Sequence, residues 1–328
     1  MGTVAHVTGW IGAARREAIL ARHHRVEATD LLLGLLAQGG EIAELLGACG
    51  ITLSAARTQA IHLDDEDMTR AGITVPGTLR PARIPVGALT GQDAIDIDLS
   101  PAAEEVVWER RGKTRTDVQS LLALTDGPDS DSSRLLAALG VDVLALRTQL
   151  GSQLGSQPSR GGRARDGSQA VVVPVPSEYR DEGMEHARRV SRFISEQPDR
   201  LRELLADPDH LASWRSLVGT VTRDGDDLLT EAEGRSGTVR SRHRLVQRGE
   251  YLDWREDIES GRYTGQLGCV HRLEVRTAPG GAQVGLTLML RSFGPVGRAL
   301  APVVRPWSGF GLRDGLARIA ALAADQPS

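Results

Sequence analysis

Apolar residues follow two different periods along the chain. From the amino terminus to about residue 150 they recur at helical spacing, and beyond about residue 179 they alternate in short runs parted by Gly, Asp and Pro. Between these regions residues 151–168 read GSQLGSQPSRGGRARDGS, where the apolar period vanishes. That composition predicts a flexible linker over residues 151–178, joining a helical unit at 1–150 to a mixed unit at 179–325.

The helical region is written twice. Glu17, Ile19, Leu20, Thr29 and Asp30 lead into the run LLLGLL at 31–36, and Glu104, Val106, Val107, Thr116 and Asp117 lead into the run at 118–124, at a constant offset of 87. Further on, LLGACGI at 45–51 is matched by LLAALGV at 135–141 with an offset of 90, so the second copy has gained three residues near 126–132. Each copy predicts several short helices. Thr29 or Asp30 is the expected N-cap of a Leu-rich helix buried on all sides. Gly50 and Gly140 are expected just past a helix end, in the left-handed conformation that glycine adopts without strain. Ser100-Pro101 predicts a helix start, with Pro in the first turn behind a Ser cap. One copy has too little core to stand alone, whereas two packed about a pseudo-twofold bury one interior.

The order Ala14, Glu17, Ala18, Leu20, His23, Val26, then the Leu-rich run at 31–36, then Gly50, resembles the Clp repeat. That repeat forms the N-terminal domain of ClpC- and ClpA-type unfoldases. The resemblance covers about residues 1–150 and implies an all-α bundle that binds peptides, adaptors or cyclic-peptide antibiotics. It departs from the family where the acidic residue before the Leu-rich helix falls on Thr29 and Thr116, with Asp30 and Asp117 one place later. The groove between the repeats would be the peptide site, with Glu17, Asp30, Ser100, Pro101, Glu104 and Asp117 as its expected residues.

In the mixed region, residues 190–194 predict a strand, and residues 198–214 predict two short helices broken at Asp207-Pro208. Six strands are expected near 217–222, 228–232, 238–246, 252–259, 269–276 and 283–290, joined by turns at Gly225, Gly249, Gly261 and Gly280. Residues 292–308, with Pro295, Pro302 and Pro306, are expected to be a loop, either a pocket lid or ordinary packing. Leu312, Leu316, Ile319, Ala320 and Leu322 give residues 311–324 a helical period. This order, together with LLADPDHLASW at 204–214, resembles the START-like or SRPBCC superfamily, which includes polyketide cyclases and Coq10-type lipid binders. The resemblance implies an α+β helix-grip fold, an antiparallel sheet wrapped on a long C-terminal helix, with a hydrophobic ligand held between them. Trp214, Trp254, His271, Phe293, Trp307 and Phe310 are the expected lining, the alternative being that the aromatic residues simply fill the core.

Composition narrows the chemistry. A formal net charge of −4 points to no nucleic-acid partner. All but Lys113 of the 39 basic residues are arginine, a bias typical of a GC-rich genome such as an actinobacterial one. Cys49 and Cys269 have no CxxC spacing, and His23-His24 point to different sides of a helix, so neither a disulfide framework nor a metal site is expected. Residues 1–14 lack the basic flank and apolar core of a signal peptide, and no run reaches the roughly 18 apolar residues of a membrane span, so a cytoplasmic protein is expected. Gly112-Lys113-Thr114 resembles the end of a phosphate loop, but position 107, where the earlier glycine belongs, is Val107. Ser308 lacks a nucleophile elbow because position 306 is Pro306. No cofactor motif occurs. The two resemblances imply a non-catalytic accessory, adaptor or decoy protein of a ClpC-type protease system, with a second domain that binds a hydrophobic small molecule. The alternative is a polyketide cyclase/aromatase-like enzyme with a Clp-like docking domain, in which His271 would converge with Glu259 or Arg276.

Overall fold

The structure is a computed structural model that describes residues 2–73, 83–85, 97–108, 116–127, 130–156, 170–215, 217–234 and 237–325, with side chains apart from those of 2–8, 153–156 and 295–307. Eight helices come first: α1 (Gly2–Ala21), α2 (Ala28–Gln38), α3 (Glu41–Ala48), α4 (Leu53–Arg70), α5 (Pro101–Val107), α6 (Asp117–Leu124), α7 (Asp131–Ala138) and α8 (Val143–Ser156). The second four follow the order of the first. The helix ends carry the duplication most clearly. After α3, Gly50 (φ +82°) donates to Gly47 and Ile51 donates to the Leu46 carbonyl; after α7, Gly140 (φ +83°) donates to Ala137 and Val141 donates to the Leu136 carbonyl. Both are the paired hydrogen bonds of a Schellman stop, which requires a positive φ at that glycine.

The apolar sequence of α2 is explained by its place at the centre. It packs against α1, α3, α4, α5, α6 and α7, and Leu31, Leu32, Leu33, Leu35 and Leu36 are all buried. The cap differs from expectation. Glu27 is the N-cap and Asp30 sits in the third position, where its carboxylate accepts from the Glu27 backbone N–H (2.9 Å), closing a capping box. In the second copy Thr116 caps α6, accepting from the Gln119 N–H (3.3 Å). Ser100 caps α5 with Pro101 in the first turn, as the sequence predicts. Residues 109–115, which include Lys113, lie outside the described residues.

The remaining elements are β1 (Val171–Val173), α9 (Ser177–Arg180), β2 (His186–Ile194), α10 (Pro198–Ala206), α11 (Pro208–Trp214), β3 (Thr220–Asp224), β4 (Asp227–Gly234), β5 (Gly237–Arg248), β6 (Tyr251–Ile258), β7 (Leu267–Ala278), β8 (Gly281–Leu290) and α12 (Gly294–Asp325). The strands form one antiparallel sheet in the order β1-β2-β8-β7-β6-β5-β4-β3. Two-residue turns at Gly225-Asp226, Gly249-Glu250 and Pro279-Gly280 set the hairpin registers. The inner face, with Val190, Leu286, Leu273 and Leu252 in one row, packs on Leu312, Leu316 and Ile319 of α12 and on Leu201, Leu205 and Leu211 of α10 and α11.

Two expectations are corrected. Residues 292–308 are not a loop beyond the first two, because α12 begins at Gly294 and continues through Pro302 and Pro306. A proline removes one backbone donor, and helix on both sides of it carries the segment through. The linker over 151–178 is shorter than predicted: α8 runs to Ser156, and β1 and α9 occupy 171–173 and 177–180. β1 went unseen because Val171 to Val173 is a short run with no alternation. It pairs with β2 at the sheet edge, and α9 behind it anchors to the outer face through Tyr179, whose hydroxyl donates to buried Asp253 (2.6 Å). Arg272 closes that cluster on Asp253 (2.8 Å) and Glu178 (2.9 Å). Burial and the Asp253 carboxylate push the Tyr179 hydroxyl up to about 12.

The two halves also touch directly. The 32 residues of α12 span about 48 Å, and their C-terminal end packs on α1, α2 and α4. There, buried Glu17 accepts from Arg57 Nη2 (2.7 Å) and Nε (2.9 Å) and from Arg83, while Arg57 Nη1 reaches Asp325 (2.6 Å) and the Ala321 carbonyl (3.0 Å). The β7–β8 turn meets α3 so closely that a Cβ on Gly280 would lie 2.0 Å from the Gly47 carbonyl oxygen.

Candidate functional site on the inner face of the sheet

The inner face changes character along its length. Toward α3 it is closed and largely apolar, with Arg192 buried among its inward positions, whereas at the opposite end Arg188, Glu256, His271, Leu288 and Leu245 keep partial accessibility. The last row of inward positions there is polar. Register places His243 beside Glu256 and Glu256 beside Cys269, and in the next row Trp254 beside His271.

Arg215, from the end of α11, ties these groups together. Its Nη1 donates to His243 Nδ1 (2.8 Å), and its Nη2 donates to Glu256 and to Cys269 Sγ (3.2 Å). A guanidinium has no acceptor, so His243 Nδ1 must accept and its proton must sit on Nε2, which donates to Thr230 Oγ1 (2.9 Å). The Cys269 thiol donates to Glu256 (3.1 Å). Burial and the Arg215 charge lower His243 to about 4. Burial opposes ionisation of Glu256, yet Arg215, His243 and the Cys269 hydrogen bond together hold its carboxyl below the usual range. Burial pushes the Cys269 thiol up to about 12. His271 is held well below its ordinary value by burial and by the charges of Arg215 and His243. At neutral pH this end of the face therefore carries the Arg188 guanidinium, the closed Arg215–Glu256 ion pair, two uncharged imidazoles and a protonated thiol.

His271 borders the accessible surface, edge-on to Trp214 with ring centroids 6.1 Å apart, and its Nδ1 lies 3.9 Å from Cys269 Sγ. The Trp214 indole nitrogen is buried without a hydrogen-bond partner among the described residues. This pair is the part of the expected lining that the structure brings together. Trp254 is a core residue whose Nε1 donates to the Leu205 carbonyl (2.9 Å). Phe293 lies apart, stacked on Tyr263 with centroids 4.5 Å apart, at a pocket of about 760 Å³ between β1, the start of β2 and the start of α12. Phe310 is exposed near α1, and the Trp307 side chain lies outside the described residues. The convergence of His271 with Glu259 or Arg276 is also corrected. Glu259 pairs with Arg242 and Arg276 pairs with Glu274, because both belong to other parts of the sheet surface. Arg215, His243, Glu256 and Cys269 were missed.

The residues expected to bind peptide do not converge. Glu17 is buried at the junction of the halves, and Ser100 is spent on its cap, while Pro101 and Glu104 are exposed and Asp117 lies half-buried at the start of α6. Asp30, buried, accepts from His23 (2.9 Å) at the wall of a pocket of about 340 Å³ between α2, α4 and α7. Its hydrogen bond pulls His23 upward, and burial raises Asp30 itself. Among the described residues no His, Cys, Asp and Glu cluster has metal-binding geometry, and no single helix is long and apolar enough to cross a membrane.

Residues 186–324 match the family model for polyketide cyclase / dehydrase and lipid transport. The C-terminal half thus has the SRPBCC-type helix-grip fold, and the match does not extend to the helical half. Among solved structures, TTHA0849 from Thermus thermophilus is similar at 20% identity, with 42% of this chain and 98% of that one covered and a TM-score of 0.32. A START superfamily protein from Mycobacterium smegmatis is similar at 12% identity, with 39% and 95% covered and a TM-score of 0.28. No curated protein matches the chain.

Proposed function

We propose that the C-terminal half holds a hydrophobic small molecule against the accessible end of its inner face, with His271 and the Trp214 N–H meeting a polar group of that ligand. The observation that carries this reading is the family match over 186–324 together with a half-buried His271, held uncharged, beside Leu288 and Trp214 on the inner face. The neutral fluorophore N-phenyl-1-naphthylamine tests it. Emission should rise and shift to the blue with the wild-type chain, and Leu288→Trp, which places a larger side chain at the strand position paired with His271, should abolish the change. Unaltered emission with the wild type, or equal emission with the variant, refutes the reading.

For the helical half, the reading that its duplicated four-helix unit supports is a peptide-binding module of Clp-repeat type. Within it the pocket beside Asp30 is the place for the guest, and Glu17 is withdrawn from the proposed site. The whole chain then acts as an accessory, adaptor or decoy of a ClpC-type protease system, sequestering or presenting what it binds. Titration of the full chain with an arginine-phosphorylated peptide tests this, and absence of heat at concentrations up to about 1 mM counts against it. The convergence of Arg215, His243, Glu256 and Cys269 favours one alternative, a cyclase/aromatase-like enzyme. A ligand recovered chemically altered after incubation would establish that alternative.

A further inference from the structure

Two nitrogen donors at the accessible end of the inner face have no acceptor among the described residues. The first is the Arg188 guanidinium. Arg188 lies two residues before the inward-facing Val190 on β2, so its side chain leaves the same side of the sheet. The guanidinium reaches toward α12, where a Cβ on buried Gly309 would lie 3.7 Å from Nη1. It is half-buried, yet among the described residues it makes neither a hydrogen bond nor an ion pair. Its neighbours differ. Outward-facing Arg189 pairs with Glu274, Arg192 donates to the Gln38 carbonyl, and Arg215 closes on Glu256. A guanidinium stays charged and offers donors only, and taking it partly out of water with no acceptor is unfavourable.

The second donor is Trp214 Nε1, on a residue only 2% exposed. Register fixes how far apart the two stand. One row runs from Arg188 through Leu288 to His271, and Trp214 lies edge-on to that imidazole. Two strand spacings separate Arg188 from His271, which is about 10 Å. Between the two donors the row offers the apolar side chain of Leu288.

We propose, resting on the reading that the inner face holds a hydrophobic small molecule, that this molecule is an amphipathic acid whose carboxylate or phosphate pairs with Arg188. Its apolar body lies along Leu288, and an oxygen at the far end accepts from the Trp214 N–H. The planar fork of the guanidinium matches the oxygens of either head group. His271, held uncharged, does not compete with Arg188 for the anion.

Calorimetric titration of the full chain at neutral pH in about 0.15 M salt with 2-naphthoate, 2-naphthyl phosphate and the uncharged 2-naphthalenemethanol tests the pairing. At least one anion should bind about tenfold or more tightly than the alcohol, and the preferred anion identifies the head group. Arg188→Gln should weaken that anion at least about tenfold and leave the alcohol within about twofold. It should not lower the melting temperature of the ligand-free protein, because Arg188 has no partner there to lose. Arg188→Lys should restore part of the binding. If the alcohol or N-phenyl-1-naphthylamine binds and neither anion binds more tightly than the alcohol, the acid is refuted while the hydrophobic site stands. An anion held as tightly by Arg188→Gln as by the wild type sits elsewhere, and the pairing is refuted. If none of the four compounds binds, the acid and the hydrophobic site fall together.

Discussion

Two buried arginine–carboxylate clusters, one at the junction of the halves and one on the inner face of the sheet, do different work. At the junction, Glu17, Arg57, Arg83 and Asp325 join α1, α4 and α12, with each carboxylate held by a guanidinium. On the sheet, Arg215, Glu256, His243 and Cys269 are equally well satisfied, but they stand beside His271, which is half-buried and uncharged. A closed network fixes geometry, whereas a closed network bordering a half-buried, uncharged imidazole also furnishes a surface for a ligand. Burial and charge pairing alone do not separate the two; the partner left over does.

The largest effect that would sharpen this contrast is expected at the junction. Arg57→Met strips Glu17 of its bidentate partner and should cost on the order of 3 kcal/mol in urea unfolding, with part recovered when Glu17→Gln is added. An unchanged urea midpoint would show that the junction does not hold the halves. The sheet cluster is expected to reveal itself through pH. His243 is lowered from 6.5 to about 4, so below pH 6.5 the unfolded chain binds a proton that the folded chain refuses. Stability should therefore fall as pH drops from about 6.5 to 4, by about 3 kcal/mol in all. His243→Gln should flatten that decline, and a decline of equal size in the variant would place the proton elsewhere. A smaller effect is expected for Trp254→Phe, which leaves the Leu205 carbonyl without its donor and should cost about 1–2 kcal/mol; it should leave fluorophore binding intact if Trp254 is packing rather than lining. The smallest is Arg134→Ala, at an exposed pair with Asp67, where no measurable shift of the urea midpoint is expected.

Much of the sheet was readable because its turns announce themselves. Gly225, Gly249 and Gly280 fall where two-residue turns need them, and each fixes the pairing of the strands it joins. Through the Gly249-Glu250 turn, the pairing of His243 with Glu256 follows from sequence alone, so half of the polar row could have been found. Cys269 could not, since the strands β6 and β7 are joined by a longer connection and their register shifts at Glu256/Asp257. Arg215 could not either: it enters from beyond α11 and meets three strands only in the folded chain. In the helical half the duplication and its two Schellman glycines were plain, because a helix stop is local. The burial of Glu17 was not, because its partners lie 40 and 66 residues away in sequence and the helix that covers them belongs to the other half.

The hairpin tip at Gly280 approaches the α3 backbone at Gly47 within a distance that admits no side chain on Gly280, while a Cβ on Gly47 would meet the Phe193 ring of β2 at 2.6 Å. A side chain at Gly280 would wedge the pieces apart, so the fit of this tip against the helix couples the two halves at a point far along the chain from the segment that connects them.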